Sequence, residues 1–432
     1  MKGNKRSKHL GYIQKAVATI RDKNKPLNPA TVMTDGMIEC SNGSERYVIS
    51  GAEAVAAFRG LASNIHSQPE WRGKYSEKYI STELRKILAG LSVGAPETLD
   101  SRLMDFIKSL QEFNEVRELV TPIQGLKLEV EAFRLGGVTF RPTDQSQINQ
   151  LKGRAEQTIE SLKHADADKA YFREHYQKVV EERLGAFDAL AFYETVAEVD
   201  QARINALQNI NIALNVLRFL TPYTQELPEY VGLGLPGCFA AAAYSSIVFS
   251  EDGSFNTDFP LAGRFLPFKV DHQFLERHGE SLESLSEIMV SPSRSEIEER
   301  ILVAIQWAGR AHSDSQSQQQ LLSLITALEC LLNPTDGRPF RIGLSESAVF
   351  LVGAEDLEER IKLFDFLASM YKARSEISHG GSVQVADSDI ANLQQVVGAV
   401  ILRVVRIRHK YTTRKLLEAH LARARLGAKA DL

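Results

Sequence analysis

SRSEIEERILVAIQWA, residues 293–308, decides how the C-terminal third of the chain is read. Ile297, Ile301, Ala304, Ile305 and Ala308 recur with helical spacing, and Ser293-Arg-Ser-Glu296 has the pattern of a capping box, so a helix is predicted here. Toward the C-terminus, Leu321, Ile325, Leu328 and Leu332 lie at offsets of 0, 4, 7 and 11, and that run stops at Asn333-Pro334. A loop of about twenty residues with Asp336-Gly337 and Arg338 is expected next. A third helix then aligns Leu357, Ile361, Phe364, Ala368 and Tyr371 and ends before Gly380-Gly381. A fourth starts after Asp387-Ser388-Asp389 and runs Leu393, Val397, Val400, Val404, Ile407 and Tyr411 along one side. Amphipathic helices of this length need one another to bury their stripes, which predicts a four-helix bundle over residues 291–432.

Before residue 291 the texture differs. Leu126, Leu128, Val130 and Ala132 alternate with Lys127, Glu129 and Glu131, the period of a half-buried strand, and Gly136-Gly137 turns into Val138-Thr139-Phe140, a hairpin signal. A polar helical stretch (144–185), the strand candidate AFYETVAEV and a helix from near Asp200 follow, the helix with Ala206, Ile210, Ala213, Leu214 and Leu217 on one face. Ile247-Val248-Phe249 and Phe255 flank Asp252-Gly253, a second hairpin signal. Residues 121–290 therefore read as an α+β region with an antiparallel sheet. Residues 1–120 read as mostly helical, with one short strand at Tyr47-Val48-Ile49. The fold class expected is mainly α with an α+β middle region.

Composition narrows the function classes. The 432 residues hold 51 Lys plus Arg against 55 Asp plus Glu, a net charge of −4, with 44% hydrophobic and 25% charged residues. This is globular composition, too apolar and too weakly charged for disorder. It excludes a wholesale nucleic-acid coat but allows a local basic surface. Cys40, Cys238 and Cys330 are odd in number and far apart, which gives no disulfide framework and points to the reducing cytoplasm. The basic N-terminus runs into the amphipathic LGYIQKAVATI rather than a signal peptide's apolar core. LPGCFAAAAYSSIVF and VVGAVILRVV both fall short of the ~20 apolar residues of a membrane span. No membrane partner is expected.

Several motifs have plain readings. Gly232-Leu-Gly234-Leu-Pro-Gly237 matches a dinucleotide fingerprint, but a turn precedes it and Pro236 lies inside it, so it reads as a glycine-rich loop entering a sheet and no cofactor is expected. His164, Asp166 and Asp168 read as a solvated charge run, and no metal site is expected. Glu355, Asp356, Glu358 and Glu359 read as helix-start acids.

The informative segment is Tyr371-Lys-Ala-Arg374-Ser-Glu-Ile-Ser-His379-Gly-Gly. An offset of five places Arg374 and His379 roughly 140° apart on a regular helix. The glycines let the helix stop at His379, so the imidazole can turn back beside the guanidinium. A phosphate-gripping guanidinium beside a proton-transferring imidazole is a minimal kit for phosphodiester cleavage. Residues 401–432 add nine cations (Arg403, Arg406, Arg408, Lys410, Arg414, Lys415, Arg423, Arg425, Lys429) against Glu418 and Asp431. That local excess suits a phosphate-tracking surface, or the solvated face of a long terminal helix.

TALECLLNP on the second helix and YKARSEISHGG on the third, within a four-helix bundle, resemble the HEPN family, and more narrowly its Apea-like branch from bacterial defence proteins. The resemblance covers residues 291–426, about a third of the chain. It implies a metal-independent endoribonuclease that works as a homodimer, with Arg374 and His379 as the catalytic pair. Glu329 would orient them, with Tyr371 and Ser375 in support. Many members have Asn, Asp or His where Ser375 stands, and a serine hydroxyl can still donate a hydrogen bond. RNA contacts are expected from Lys372, Arg403, Arg406, Arg408 and Lys410. A role as a defence or toxin effector implies a phage-derived trigger or an inhibitory partner. A non-catalytic HEPN bundle used for dimerisation or nucleotide sensing, and a scaffold acting through the α+β region, are the rival expectations.

Overall fold

Three short strands, β1 (Asn24–Pro26), β2 (Met37–Ser41) and β3 (Arg46–Ser50), pair antiparallel in the order β1-β3-β2; of these only β3 was expected, at Tyr47-Val48-Ile49. Here and below, the computed structural model describes residues 24–26, 37–41, 46–89, 96–161, 165–220, 232–237, 246–249, 255–258, 267–314, 316–334, 337–352 and 356–425. The chain groups into two units, Met1–Leu119 with Glu194–Leu207, and Val120–Tyr193 with Gln208–Leu432. In the first, helices α1 (Ala52–His66), α2 (Glu77–Ala89) and α3 (Pro96–Glu112) enclose a core with Phe58, Leu61, Ile65, Trp71, Tyr75 and Leu84. Cys40 is buried there, and burial pushes its thiol up to about 11. The buried Glu198 accepts hydrogen bonds from the backbone N–H groups of Ser76, Asp200 and Gln201 at 3.0, 2.9 and 2.8 Å. It thereby satisfies donors that a helix start leaves open.

The middle region holds the expected sheet with altered strand limits. β4 (Val116–Ile123), β6 (Phe133–Leu135), β7 (Val138–Pro142) and β8 (Ala189–Val196) lie in the order β4-β8-β7-β6, and the pairs β6–β7 and β7–β8 are antiparallel. The alternation from Leu126 yields only β5 (Leu126–Leu128), which pairs in parallel with β11 (Phe268–Val270); the Gly136-Gly137 hairpin joins β6 to β7 instead. Parallel partners distant in sequence leave no local signal. β9 (Ser246–Phe249) and β10 (Phe255–Asp258) form the second antiparallel hairpin, with the turn at Asp252-Gly253 outside the described residues.

The polar stretch resolves into α4 (Gln145–Ser161) and α5 (Asp166–Lys178), the latter running into a π-helical turn, Val179–Leu184. Asp166 and Asp168 stand in the first turn of α5, exposed, and His164 lies outside the described residues. α6 (Val199–Leu220) buries all five residues of its expected stripe. The glycine loop is tied down by a bridge between Gln124 and Gly234 and by Arg218, whose Nε donates to the Leu233 carbonyl at 2.8 Å.

Among the described residues from 272 onward there are seven helices: α7 (His272–Val290), α8 (Glu296–Ala311), α9 (Ser317–Leu332), α10 (Phe340–Val352), α11 (Leu357–Ser378), α12 (Asp387–Ile407) and α13 (Arg414–Arg425). Four were expected after residue 290, and the described residues hold six. The capping box sits two residues later than expected, on Ser295 and Glu298. Arg294 donates to the Ile288 and Met289 carbonyls, so the chain before Ser295 is occupied in closing α7. The expected loop after Pro334 contains α10. It buries Leu344, Ala348, Val349 and Leu351, and its buried serines bond back to their own helix, Ser345 to the Arg341 carbonyl and Ser347 to that of Gly343. A helix apolar on most sides shows no amphipathic contrast.

The face assigned to α11 is also corrected. Leu367 and Met370 are buried, whereas Leu357 and Ile361 of the expected stripe are 66% and 44% exposed. α12 buries Leu393, Val397, Val400, Val404 and Ile407 as expected, but it ends at Ile407. Tyr411 falls in the following turn, where its hydroxyl pairs with His420 Nδ1 at 2.8 Å. Among the described residues α12 is the one helix long and apolar enough to cross a membrane, and its apolar side is spent in the core.

One close approach fixes how α8 meets α6. A Cβ on Gly309 would lie 2.6 to 2.8 Å from the Oδ1, Cβ and Cα of Asn215, and that Oδ1 also accepts from Arg218 Nη1 at 2.6 Å. We expect Gly309→Ala to force the helices apart and cost about 1–3 kcal/mol, read as a lower urea midpoint at unchanged slope. An unshifted midpoint would show that this contact is looser than the structure has it.

Candidate active site at the end of helix α11

Arg374 lies seven residues after Leu367 and four after Met370, on the inward side of α11. That placement brings its Nη2 to 3.0 Å from Glu329 Oε2 on α9, with the two side chains 28% and 19% exposed. Tyr371, one turn earlier, sets its ring 5.9 Å from the guanidinium carbon. Its phenol is pushed up first by burial, then by the charge and hydrogen bond of Glu329, with Arg374 opposing. Arg374 Nε is buried without a hydrogen-bond partner. The guanidinium is thus oriented by one carboxylate and one ring while retaining unused donors.

The helix stops where the double glycine predicts. His379 is the C-cap, Gly380 takes φ 85°, and the Gly380 and Gly381 N–H groups donate to the Ile377 and Glu376 carbonyls at 3.0 and 2.9 Å. This is a Schellman motif, and its left-handed residue is why glycine stands at position 380. His379 itself is exposed. Ser375 is half-buried and accepts the His379 N–H at its carbonyl, 3.2 Å away. Lys372 is exposed, 3.7 Å from Glu376.

From Gly381 to Ala386 the chain has no regular secondary structure. Val383, Gln384, Val385 and Ala386 form one wall of a groove of about 740 Å³, with Gln316 and Gln318 opposite. Gln318 Nε2 donates to the Val383 carbonyl at 2.8 Å and so fixes the wall. Sequence reasoning missed this groove, because nothing in SVQVA or SQSQ marks the two segments as neighbours.

Arg408 is 4% exposed and its Nη2 lies 2.5 Å from Glu287 on α7, so it is a buried, paired cation rather than an open phosphate contact. Arg403 is half-buried; Arg406 and Lys410 are exposed. Lys429 lies outside the described residues. Family models, curated proteins and solved structures were each compared with the chain, and none matches.

Proposed function

We propose that the protein is a HEPN-type endoribonuclease that needs no metal ion and acts as a homodimer. One observation supports this above others: a guanidinium oriented by Glu329 and Tyr371 stands one Schellman turn from an exposed histidine. In the reaction, the RNA 2′-oxygen attacks the adjacent phosphorus and the bond to the 5′-oxygen breaks. His379 moves the proton released by the 2′-hydroxyl toward the leaving oxygen, and Arg374 stabilises charge on the phosphoryl oxygens. The products are a 2′,3′-cyclic phosphate and a 5′-hydroxyl. The amide-lined groove beside the segment that leaves His379 suits an unpaired strand, whose base edges offer both donors and acceptors.

One motif supplies one imidazole, whereas the reaction uses a base and an acid, so two copies facing across a two-fold axis complete the set. The test incubates the full chain with single-stranded RNA in EDTA and analyses the product ends, alongside sedimentation. Cyclic phosphate ends from a dimer are expected; 3′-hydroxyl ends, or full activity from a strict monomer, would overturn the reading. The ion pair to Glu329 favours one rival, a non-catalytic bundle in which Arg374 is structural, and that rival gives no cleavage at all.

A further inference from the structure

Between α7 and the C-terminal end of α12 lies a cavity of about 320 Å³, separate in its residues from the Arg374 site. Its buried wall is Arg408, 4% exposed. A guanidinium removed from water in this way must be compensated by partners of opposite charge. Arg408 Nη1 donates to the Val405 carbonyl at 2.9 Å, and Nη2 to Glu287 at 2.5 Å. Nε is buried without a hydrogen bond. Glu298 Oε1 makes a second, longer ion pair with it at 3.8 Å, while Glu298 Oε2 accepts from the N–H and hydroxyl of Ser295.

The compensation is unusual in one respect. Glu287 is 61% exposed, so a carboxylate standing mostly in water reaches in to the buried guanidinium. Such a partner can be exchanged at low cost, because on leaving it regains its hydration. Donors surround the position it occupies. Ser281 and Ser284, three residues apart on one face of α7, are half-buried and have no hydroxyl partner among the described residues. Arg406 and His409 are exposed at the rim.

Two guanidinium groups, two hydroxyls and an imidazole match a tetrahedral oxyanion with several acceptor oxygens. Glu280, also lining the cavity, can accept from a hydroxyl or amino group on the body of the ligand. The volume stands at the small end of ligand sites, which begin at about 300 Å³, so one phosphate and a small body fit and an oligonucleotide does not. We infer that this cavity binds a phosphomonoester of nucleoside-monophosphate size or smaller, whose phosphate takes the place of Glu287 on Arg408.

Titration calorimetry of the full chain with adenosine 5′-monophosphate, inorganic phosphate and adenosine tests this. The monophosphate and phosphate are expected to bind and adenosine to fail. Removing the internal competitor with Glu287→Ala should tighten monophosphate binding by about tenfold, whereas Arg406→Ala and Ser284→Ala should each weaken it about three- to tenfold. Neither Arg406 nor Ser284 is buried, so these variants report on the site without depending on Arg408 for folding. Binding of phosphate but not of the monophosphate would overturn the size assignment. No binding of either at millimolar concentration, equal binding of adenosine, or a Glu287→Ala protein that binds no better would overturn the proposal. The RNA-cleavage reading stands or falls separately, because none of these residues belongs to the Arg374–His379 site.

Discussion

His379→Ala is expected to lower RNA cleavage by ~10²–10⁴, the range of a lost general acid–base group, and to leave the urea midpoint where it was. The side chain is exposed and its helix is closed by backbone hydrogen bonds of the Schellman motif, none of which needs the imidazole. Arg374→Ala should behave differently. It is expected to abolish cleavage and also to cost about 1–3 kcal/mol, because Glu329, 19% exposed, loses its ion-pair partner. Sequence position alone, near a helix end, suggests no such cost. Glu329→Gln should retain much of the stability, since an amide can still accept from the guanidinium, while loosening the orientation of Arg374. Cleavage rates in EDTA measured with denaturation of the same preparations separate these outcomes. Wild-type cleavage by either alanine variant would end the catalytic assignment. An equal loss of stability in both would show that His379 is as embedded as Arg374.

The second large effect is acid lability. Burial, assisted by the nearby Arg218 charge, pushes His312 down to about 4, and burial with the Arg277 charge lowers His278. Both rings are neutral in the fold and would titrate near 6.5 in the unfolded chain. Between those values the unfolded state binds more protons than the folded one, so stability is full above pH 6.5 and falls as pH drops toward 4. From His312 alone the loss reaches up to about 3 kcal/mol. The ring of His278 packs against Phe274 at 5.1 Å, which is a poor setting for an imidazolium, and adds a loss of the same sign. Urea titrations at pH 7.5 and 5 should show the difference, and His312→Gln should flatten it. A midpoint that rises on acidification would contradict a neutral His312 in the fold.

Several local signals held because the determining contacts are near in sequence. The stop at Gly380-Gly381 was legible because a left-handed residue closes a helix through its own last turn. The stripes of α6 and α12 were legible because each has a polar side opposing its apolar one. Arg374 and Glu329, picked out by resemblance, do meet.

Other features depend on neighbours that the sequence does not name. α10 has little polar face, so its periodicity carries no contrast and it passes for a loop. α11 has apolar residues on two adjoining sides, and only packing on α9 and α10 selects the side of Leu367 and Met370, turning Arg374 inward with it. Arg406 and Arg408 are two residues apart in a basic run, roughly 200° around a helix, so one faces water and the other is buried against Glu287. The sequence by itself determined the helical character, the strand-bearing middle and the helix end that presents His379, all set by period and turn chemistry over a few residues. Which faces turn inward, which cations are buried and which segments meet across a groove were decided by tertiary structure, because burial is a property of the partners and not of the segment.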